Sequence, residues 1–323
     1  MKAPAFWYQP DGKLACRLAP LEKAYAWGAA VRKHFAQPYR AKVPVICVGN
    51  VTAGGAGKTP TALALAELLI ADGNKPAFVS RGYGGTQHRP LLVDPQHHDA
   101  ESVGDEALLL AKIAPTWIAY DRVAAIRKAE QWATHIILDD GLQNPNLLPD
   151  VSFLVMDGVV GIGNGHIIPV GPLREPFEDA QKKASAVLVV GPTLQGLTFS
   201  KPVLSAQLQP VVAVGFPRDK KFLAFAGIGR PQKFYDVCRA EGLHIVATQN
   251  FGDHHFFTST ELAKLMEKAK KFGAELLTTE KDHVRMPSVV QPRVLTFPVR
   301  LKFDDVDAVK KLLHSALAPT LPS

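Results

Sequence analysis

The sequence predicts an α/β protein, a doubly wound and mostly parallel sheet followed by a second, smaller α/β domain. Three observations lead there. Apolar runs of strand length, such as Val43 to Val48 and His135 to Leu138, alternate with helical stretches, as parallel strands joined by crossover helices do. The first of these runs passes through a glycine-rich turn straight into a helix. The chain of 323 residues has length for about two domains, and its alternation of strand and helix restarts after an irregular stretch.

In chain order, residues 1–42 come first. Phe6, Trp7 and Tyr8 cluster at the front, and Leu18, Leu21, Tyr25, Gly28 and Ala29 recur at helical spacing among Arg17, Lys23, Arg32, Lys33, Arg40 and Lys42. Aromatic and aliphatic residues with basic neighbours suit an amphipathic helix on an anionic membrane surface; they equally suit a helix packed on the domain with solvated charges.

Residues 43–192 read as the core domain. Val43 to Pro60 is VPVICVGNVTAGGAGKTP: strand, glycine loop, Lys58-Thr59 and helix, the arrangement of P-loop NTPases. Backbone N–H groups of Thr52, Ala53, Gly54, Gly55, Ala56 and Gly57 and of the helix start converge on one anion site. Lys58 reaches the β/γ-phosphates, and Thr59 offers a hydroxyl to Mg²⁺. The strict pattern wants glycine where Thr52 stands. Pro76 to Ser80 is a second strand running into Arg81, a phosphate contact at a strand's C-terminal end. Gly104-Asp105-Glu106 opens a helix. His135 to Leu138 ends in Asp139-Asp140-Gly141, the Walker B form in which the aspartate holds Mg²⁺. Val151 to Met156 and Ala186 to Val190 are further strands, separated by a Gly/Pro-rich loop containing Arg174-Glu175-Pro176.

Residues 193–221 carry only short β-like pieces (Val203 to Leu208, Val211 to Val214) and read as a linker. Residues 222–323 form the smaller α/β domain, its last helix returning to the core. A capping box runs from Thr258 to Glu261, Val294 to Val299 is the last strand, and Asp253-His254-His255 occupy a loop where Asp-His suits a general base.

Composition narrows the function. The formal charge of +7 suits an anionic partner, but the basic residues are dispersed and no nucleic-acid motif is visible. Three scattered cysteines make neither a disulfide framework nor a metal site. No apolar stretch reaches the roughly 18 residues of a spanning helix and no secretory signal is visible, so a cytosolic location or the cytosolic face of a membrane is expected.

Together the motifs resemble the tetraacyldisaccharide 4'-kinase family. The resemblance rests on Val45 to Pro60, Ser80-Arg81-Gly82-Tyr83, Gly104-Asp105-Glu106, Asp121-Arg122, Leu138-Asp139-Asp140-Gly141 with Gln143, Pro172 to Pro176, Asp253-His254 and Thr278-Thr279-Glu280-Lys281-Asp282, in order along most of the chain. It implies transfer of the ATP γ-phosphoryl group to the 4'-hydroxyl of tetraacyldisaccharide 1-phosphate, with ATP and Mg²⁺ as cofactors. It implies a peripheral, monomeric protein on the cytoplasmic face of the inner membrane, bound there through residues 1–42. By motif, Asp105 is the catalytic base, paired with His254 beside Asp253. Lys58 acts on the phosphates, and Thr59, Glu106 and Asp139 serve the metal. Arg81, Asp140, Gln143, Arg174 and Glu175 contact substrate. The chain departs from the family after Gln143, where Asn144-Pro145 stands in place of His-Arg. Two other readings suit a P-loop: a kinase or ligase of a small soluble substrate, and a nucleotide-dependent switch ATPase. The aromatic, basic N-terminus speaks against the first and the Asp105/His254 pair against the second.

Overall fold

The computed structural model describes residues 4–317 except 10, 11, 193, 195 and 212–214. The start of the N-terminal region, positions 212–214 of the β-like piece Val211 to Val214, and the end of the second domain lie outside the described residues.

Helix α1 (Lys13–His34) runs ahead of the core. Residues three and four apart share a helix face. One face, with Ala15, Glu22 and Ala26, turns to the body, where Glu22 Oε1 accepts the Ile167 N–H at 2.7 Å and Ala26 packs on the core. Leu21, Tyr25 and Trp27 stay exposed.

The core then alternates as expected: β1 (Val45–Gly49), α2 (Lys58–Ala71), β2 (Pro76–Ser80), β3 (Leu91–Leu92), α3 (Ala100–Val103), α4 (Asp105–Ala111), β4 (Thr116–Ile118), α5 (Arg122–Ala129), β5 (His135–Asp139), β6 (Val151–Asp157), α6 (Phe177–Lys183), β7 (Ala186–Val190) and β8 (Val203–Pro210). The small domain supplies β9 (Lys221–Ala226), α7 (Pro231–Ala240), β10 (His244–Asn250), α8 (Ser259–Phe272), β11 (Ala274–Thr278), α9 (Glu280–His283) and β12 (Val294–Thr296). The chain then returns through β13 (Val299–Phe303) and α10 (Val306–Leu317).

Two sheets result, in the orders β13-β8-β7-β6-β1-β5-β2-β4-β3 and β10-β9-β11-β12. Pairing is parallel except for β3 on β4 and β13 on β8. Because strand side chains alternate, Val45 and Cys47 of β1 join the core under α5 and α6, while Ile46 and Val48 join the core under α2 and α10. Both faces of the sheet are therefore covered, and its central strands are apolar throughout, as parallel strands are. In α8 the capping box forms: the Glu261 N–H donates to Thr258 Oγ1 and the Thr258 N–H to Glu261 Oε2.

Two expectations are corrected. The stretch 193–221 is more than a linker, since β8 is a strand of the large sheet, parallel to β7. Val294 to Val299 is not one strand: β12 ends the small sheet, and the chain crosses at Phe297-Pro298 to place β13 in the large one. Proline has no N–H for a ladder, and Phe297 anchors the crossing in the small domain's core.

Candidate active site

The phosphate cradle follows from backbone geometry. Gly57 precedes α2 with φ +95°, a conformation side chains disfavour. Lys58 opens the helix, its Nζ 3.1 Å from Asn50 Oδ1 and 3.7 Å from Asp140 Oδ1. Asn50, buried at the end of β1, donates through Nδ2 to the carbonyls of Thr52 (2.6 Å) and Gly54 (3.3 Å), and so holds the loop from within. Thr52 explains its own departure from the strict pattern. The only non-glycine residues with left-handed φ among the described residues are Asp140 and His254. Thr52 instead forms an antiparallel bridge with Leu173, and the Ala53 N–H donates to the Pro172 carbonyl at 2.7 Å. Glycine's freedom is not needed there.

Asp139 and Asp140 end β5 beside the cradle. Thr59 Oγ1 donates to Asp139 Oδ2 at 3.0 Å. Asp139 Oδ1 is buried without a hydrogen-bond partner among the described residues. Burial pushes the Asp139 carboxyl up, and the negative charge of Glu106 adds to it. Asp140 has φ +63°; Arg122 donates to its carbonyl at 2.5 Å, and Arg174 Nη1 lies 2.9 and 3.0 Å from its two carboxylate oxygens. Burial opposes ionisation of Asp140, but Lys58 and Arg174 outweigh it and hold its carboxyl below the ordinary range. Gln143 Nε2 donates to the Asn50 carbonyl (2.8 Å) and to Glu175 Oε1 (3.1 Å), tying the Walker B loop to the cradle and to the Arg174-Glu175 segment. After Gln143, Asn144 Oδ1 accepts the Asn146 N–H at 3.1 Å, closing a local turn.

The small domain faces this site. Gly104, with φ +86°, separates α3 from α4; a Cβ there would lie 2.5 Å from the Tyr83 carbonyl oxygen, so only glycine lets α4 begin at Asp105 against the Tyr83 loop. Asp105 is almost fully buried. Its Oδ1 accepts the Glu106 N–H, and its Oδ2 receives His254 Nδ1 at 3.2 Å and Arg285 Nε at 2.6 Å. Lys281 lies 2.9 Å from Glu106 and 3.9 Å from Asp105. Burial works against the charged carboxylate. The His254 hydrogen bond and the charges of Lys281 and Arg285 prevail and hold Asp105 well below the usual carboxyl range. Lys281 shows the converse: burial disfavours its ammonium, but Glu106 and Asp105 raise its pKa.

Lys58, Thr59, Asp139, Asp140, Gln143, Arg174 and Glu175 thus converge through direct contacts, and Asp105 meets His254 across the two domains. Asp253 is more loosely placed, with Oδ1 4.0 Å from His254 Nε2. Glu106 contacts Lys281, not Asp139. Arg81 is exposed, its guanidinium 5.2 Å from the Tyr120 ring centroid. Four residues received no role from the sequence: Asn50, Arg122, Lys281 and Arg285. Arg122 and Lys281 lie within motifs already singled out. Asn50 directly precedes the loop, and Arg285 had no local signal. Asp157, at the end of β6 next to β1, pairs with Arg230 and lies 3.9 Å from Lys233.

A sequence model of tetraacyldisaccharide-1-P 4'-kinases matches residues 14–318. The chain is 48% identical to the tetraacyldisaccharide 4'-kinase of Methylobacterium nodulans, covering 100% of this chain and 97% of that one. It is 47% identical to the protein of that name from Jannaschia sp. (94% and 96%). The crystal structure of LpxK from Aquifex aeolicus in complex with ATP superposes with TM-score 0.76 at 26% identity, covering 94% of this chain and 99% of that one.

Proposed function

This chain belongs to the tetraacyldisaccharide 4'-kinase family, and from that premise we propose how its residues divide the work. The enzyme transfers the γ-phosphoryl group of ATP to the 4'-hydroxyl of tetraacyldisaccharide 1-phosphate, giving lipid IVA in lipid A synthesis. Backbone N–H groups from Thr52 to Gly57 cradle the phosphates, and Lys58 leaves Asn50 and Asp140 for the β/γ-phosphates.

A magnesium ion fits the donors present. Asp139 Oδ1 is an unpartnered buried oxygen beside the Thr59 hydroxyl, and Mg²⁺ is commonly bound by one or two carboxylates plus substrate phosphates. When bound it neutralises charge on the phosphates. Asp139 and Thr59 would hold the ion, and Glu106, which pairs with Lys281 here, would support it.

Asp105 orients the acceptor hydroxyl and takes its proton. In a loose phosphoryl-transfer transition state that proton leaves late, so a carboxylate held ionised serves mainly by position. His254 fixes the Asp105 carboxylate and Asp253 flanks the imidazole. Arg174 and Glu175, with Asp140, Gln143 and Arg81, line the approach of the sugar. The observation that carries this reading is the Asp105–His254 contact, 3.2 Å, which joins the acceptor-side carboxylate to the second domain next to the phosphate cradle.

We read the protein as a monomer bound peripherally at the cytoplasmic face of the membrane that holds its acylated substrate, and the exposed Leu21, Tyr25 and Trp27 of α1 support that docking. No helix among the described residues is long and apolar enough to cross a membrane. The test is purified protein with Mg-ATP, detergent and radiolabelled tetraacyldisaccharide 1-phosphate, in wild type and Asp105→Ala. Bis-phosphorylated product from wild type alone supports the assignment; near-wild-type turnover in the variant removes Asp105 as base.

A further inference from the structure

The Thr278-to-Asp282 motif brings Lys281 to Glu106 and Asp105, and it ends three residues before a buried arginine aimed at Asp105. The Arg285 side chain is 1% exposed and sits between two carboxylates that are as deeply buried, Asp105 at 3% and Asp282 at 0%. The guanidinium is gripped from two sides. Nε donates to Asp105 Oδ2 at 2.6 Å, Nη2 pairs with the same oxygen, and Nη1 donates to the Gly227 carbonyl at 2.8 Å and to Asp282 Oδ1 at 3.0 Å.

The motif explains how this fork is held. Thr279 Oγ1 accepts the Asp282 N–H at 3.0 Å and donates to Asp282 Oδ2 at 2.7 Å, and Asp282 Oδ1 accepts the Gly227 N–H at 2.9 Å. Asp282 thus receives donors on both oxygens and anchors the far side of the guanidinium. The Gly227 carbonyl has a second donor, the backbone N–H of His254 at 3.1 Å. The same carbonyl therefore carries the arginine that grips Asp105 and the backbone of the histidine that grips it, with His254 held at φ +57°.

We propose that Arg285 is a positioning residue for the phosphoryl transfer: from the Gly227 carbonyl and Asp282 it fixes Asp105 Oδ2 alongside His254, leaving Oδ1 as the oxygen that meets the acceptor hydroxyl. Oδ2 is occupied by His254 and Arg285, with Lys281 near, all from the small domain. Among the described residues Oδ1 takes only the Glu106 N–H, at 2.8 Å, and keeps capacity for one more donor. Domain contact thereby selects the reacting oxygen. A lysine at 285 keeps the charge and loses the fork.

This inference rests on Asp105 acting at the acceptor. The experiment measures kcat and KM for ATP and lipid substrate in Arg285→Lys, in the Arg285→Gln/Asp282→Asn double variant, in His254→Ala, in the Arg285→Lys/His254→Ala combination and in Asp105→Ala, with folding checked by thermal melting and nucleotide binding. The double variant removes the buried charge together with one of its counter-charges, so the test does not depend on a single variant folding. Expected are a kcat loss of about tenfold in Arg285→Lys and on the order of 10²-fold in the double variant, the scale of a misplaced reacting group. ATP KM stays within about twofold, and the Arg285→Lys and His254→Ala losses fail to multiply, as for groups acting through one unit. Normal kcat in a folded Arg285 variant, a change confined to KM, or fully multiplicative losses would overturn the proposal. Near-wild-type turnover in Asp105→Ala would instead overturn the reading of Asp105 on which it rests.

Discussion

Thr59 Oγ1 donates to one oxygen of Asp139 at 3.0 Å, while the other oxygen of that buried carboxylate has no hydrogen-bond partner among the described residues. Such a group is driven towards neutrality by a proton or by a cation. Because the folded carboxyl is pushed up by burial and by Glu106, its contribution to stability is present below the ordinary carboxylate range and is lost as pH rises through the folded value. At neutral pH and above, without metal, Asp139 is therefore a liability. We expect Asp139→Asn to melt no lower than wild type without ligand, and to lose the extra stabilisation that Mg-ATP gives over ATP with EDTA. For wild type, Mg-ATP at a hundredfold excess over its Kd stabilises by about 2.7 kcal/mol relative to free protein, and the magnesium increment is the part of this that ATP with EDTA does not supply. An undiminished magnesium increment in the variant would remove Asp139 as a ligand.

Lys58 is partnered on its resting side by Asn50 and Asp140. Lys58→Ala should lower kcat on the order of 10²–10³-fold, the scale for a lost electrostatic donor. The fold should persist, because the cradle is also held by Asn50 and the Pro172 carbonyl. Single-turnover assays with a melting curve check both halves.

Asp157 binds Arg230 across the domains at the end of β6. Burial opposes the Asp157 carboxylate, but the Arg230 hydrogen bond outweighs it and lowers its pKa. Its stabilisation is present above the ordinary carboxylate range and is lost as pH falls through the folded value. The Arg230 side chain is 40% exposed, so solvent screening limits the pair to about 1 kcal/mol. Asp157→Asn should lower the melting temperature slightly at pH 7, and the gap should close under acid; a gap constant with pH would discount the pair.

Trp27 and Phe35 are 71% and 77% exposed. Trp27→Ala with Phe35→Ala should weaken co-sedimentation with anionic vesicles and leave nucleotide affinity unchanged. Point changes are the better test than truncation, because Glu22 binds the Ile167 N–H and deleting the helix would strip the core. Equal sedimentation would count against membrane docking through this face.

The strand-turn-helix at Val43 to Pro60 and the Thr258–Glu261 capping box were legible because their chemistry is local. The pairing of β8 with β7, and the split between β12 and β13, were not, because sheet membership is decided by partners far along the chain. Arg285 was hidden for the same reason: its carboxylate partner stands 180 residues earlier, and an isolated arginine after a helix reads as a surface charge. Thr52 looked like a defect in the motif until its pairing with Leu173 showed which backbone conformation the position requires.

The two places where the chain leaves and re-enters the large sheet are neighbours. Pro210 of β8 pairs with Val299 of β13, and the Val211 N–H donates to the Pro298 carbonyl at 2.9 Å. Everything between them is a cassette spliced into what would otherwise be an ordinary antiparallel hairpin. A gene in which a two-residue turn replaces residues 211–298 should encode a free-standing nucleotide module that binds ATP and has no means of delivering it to a sugar.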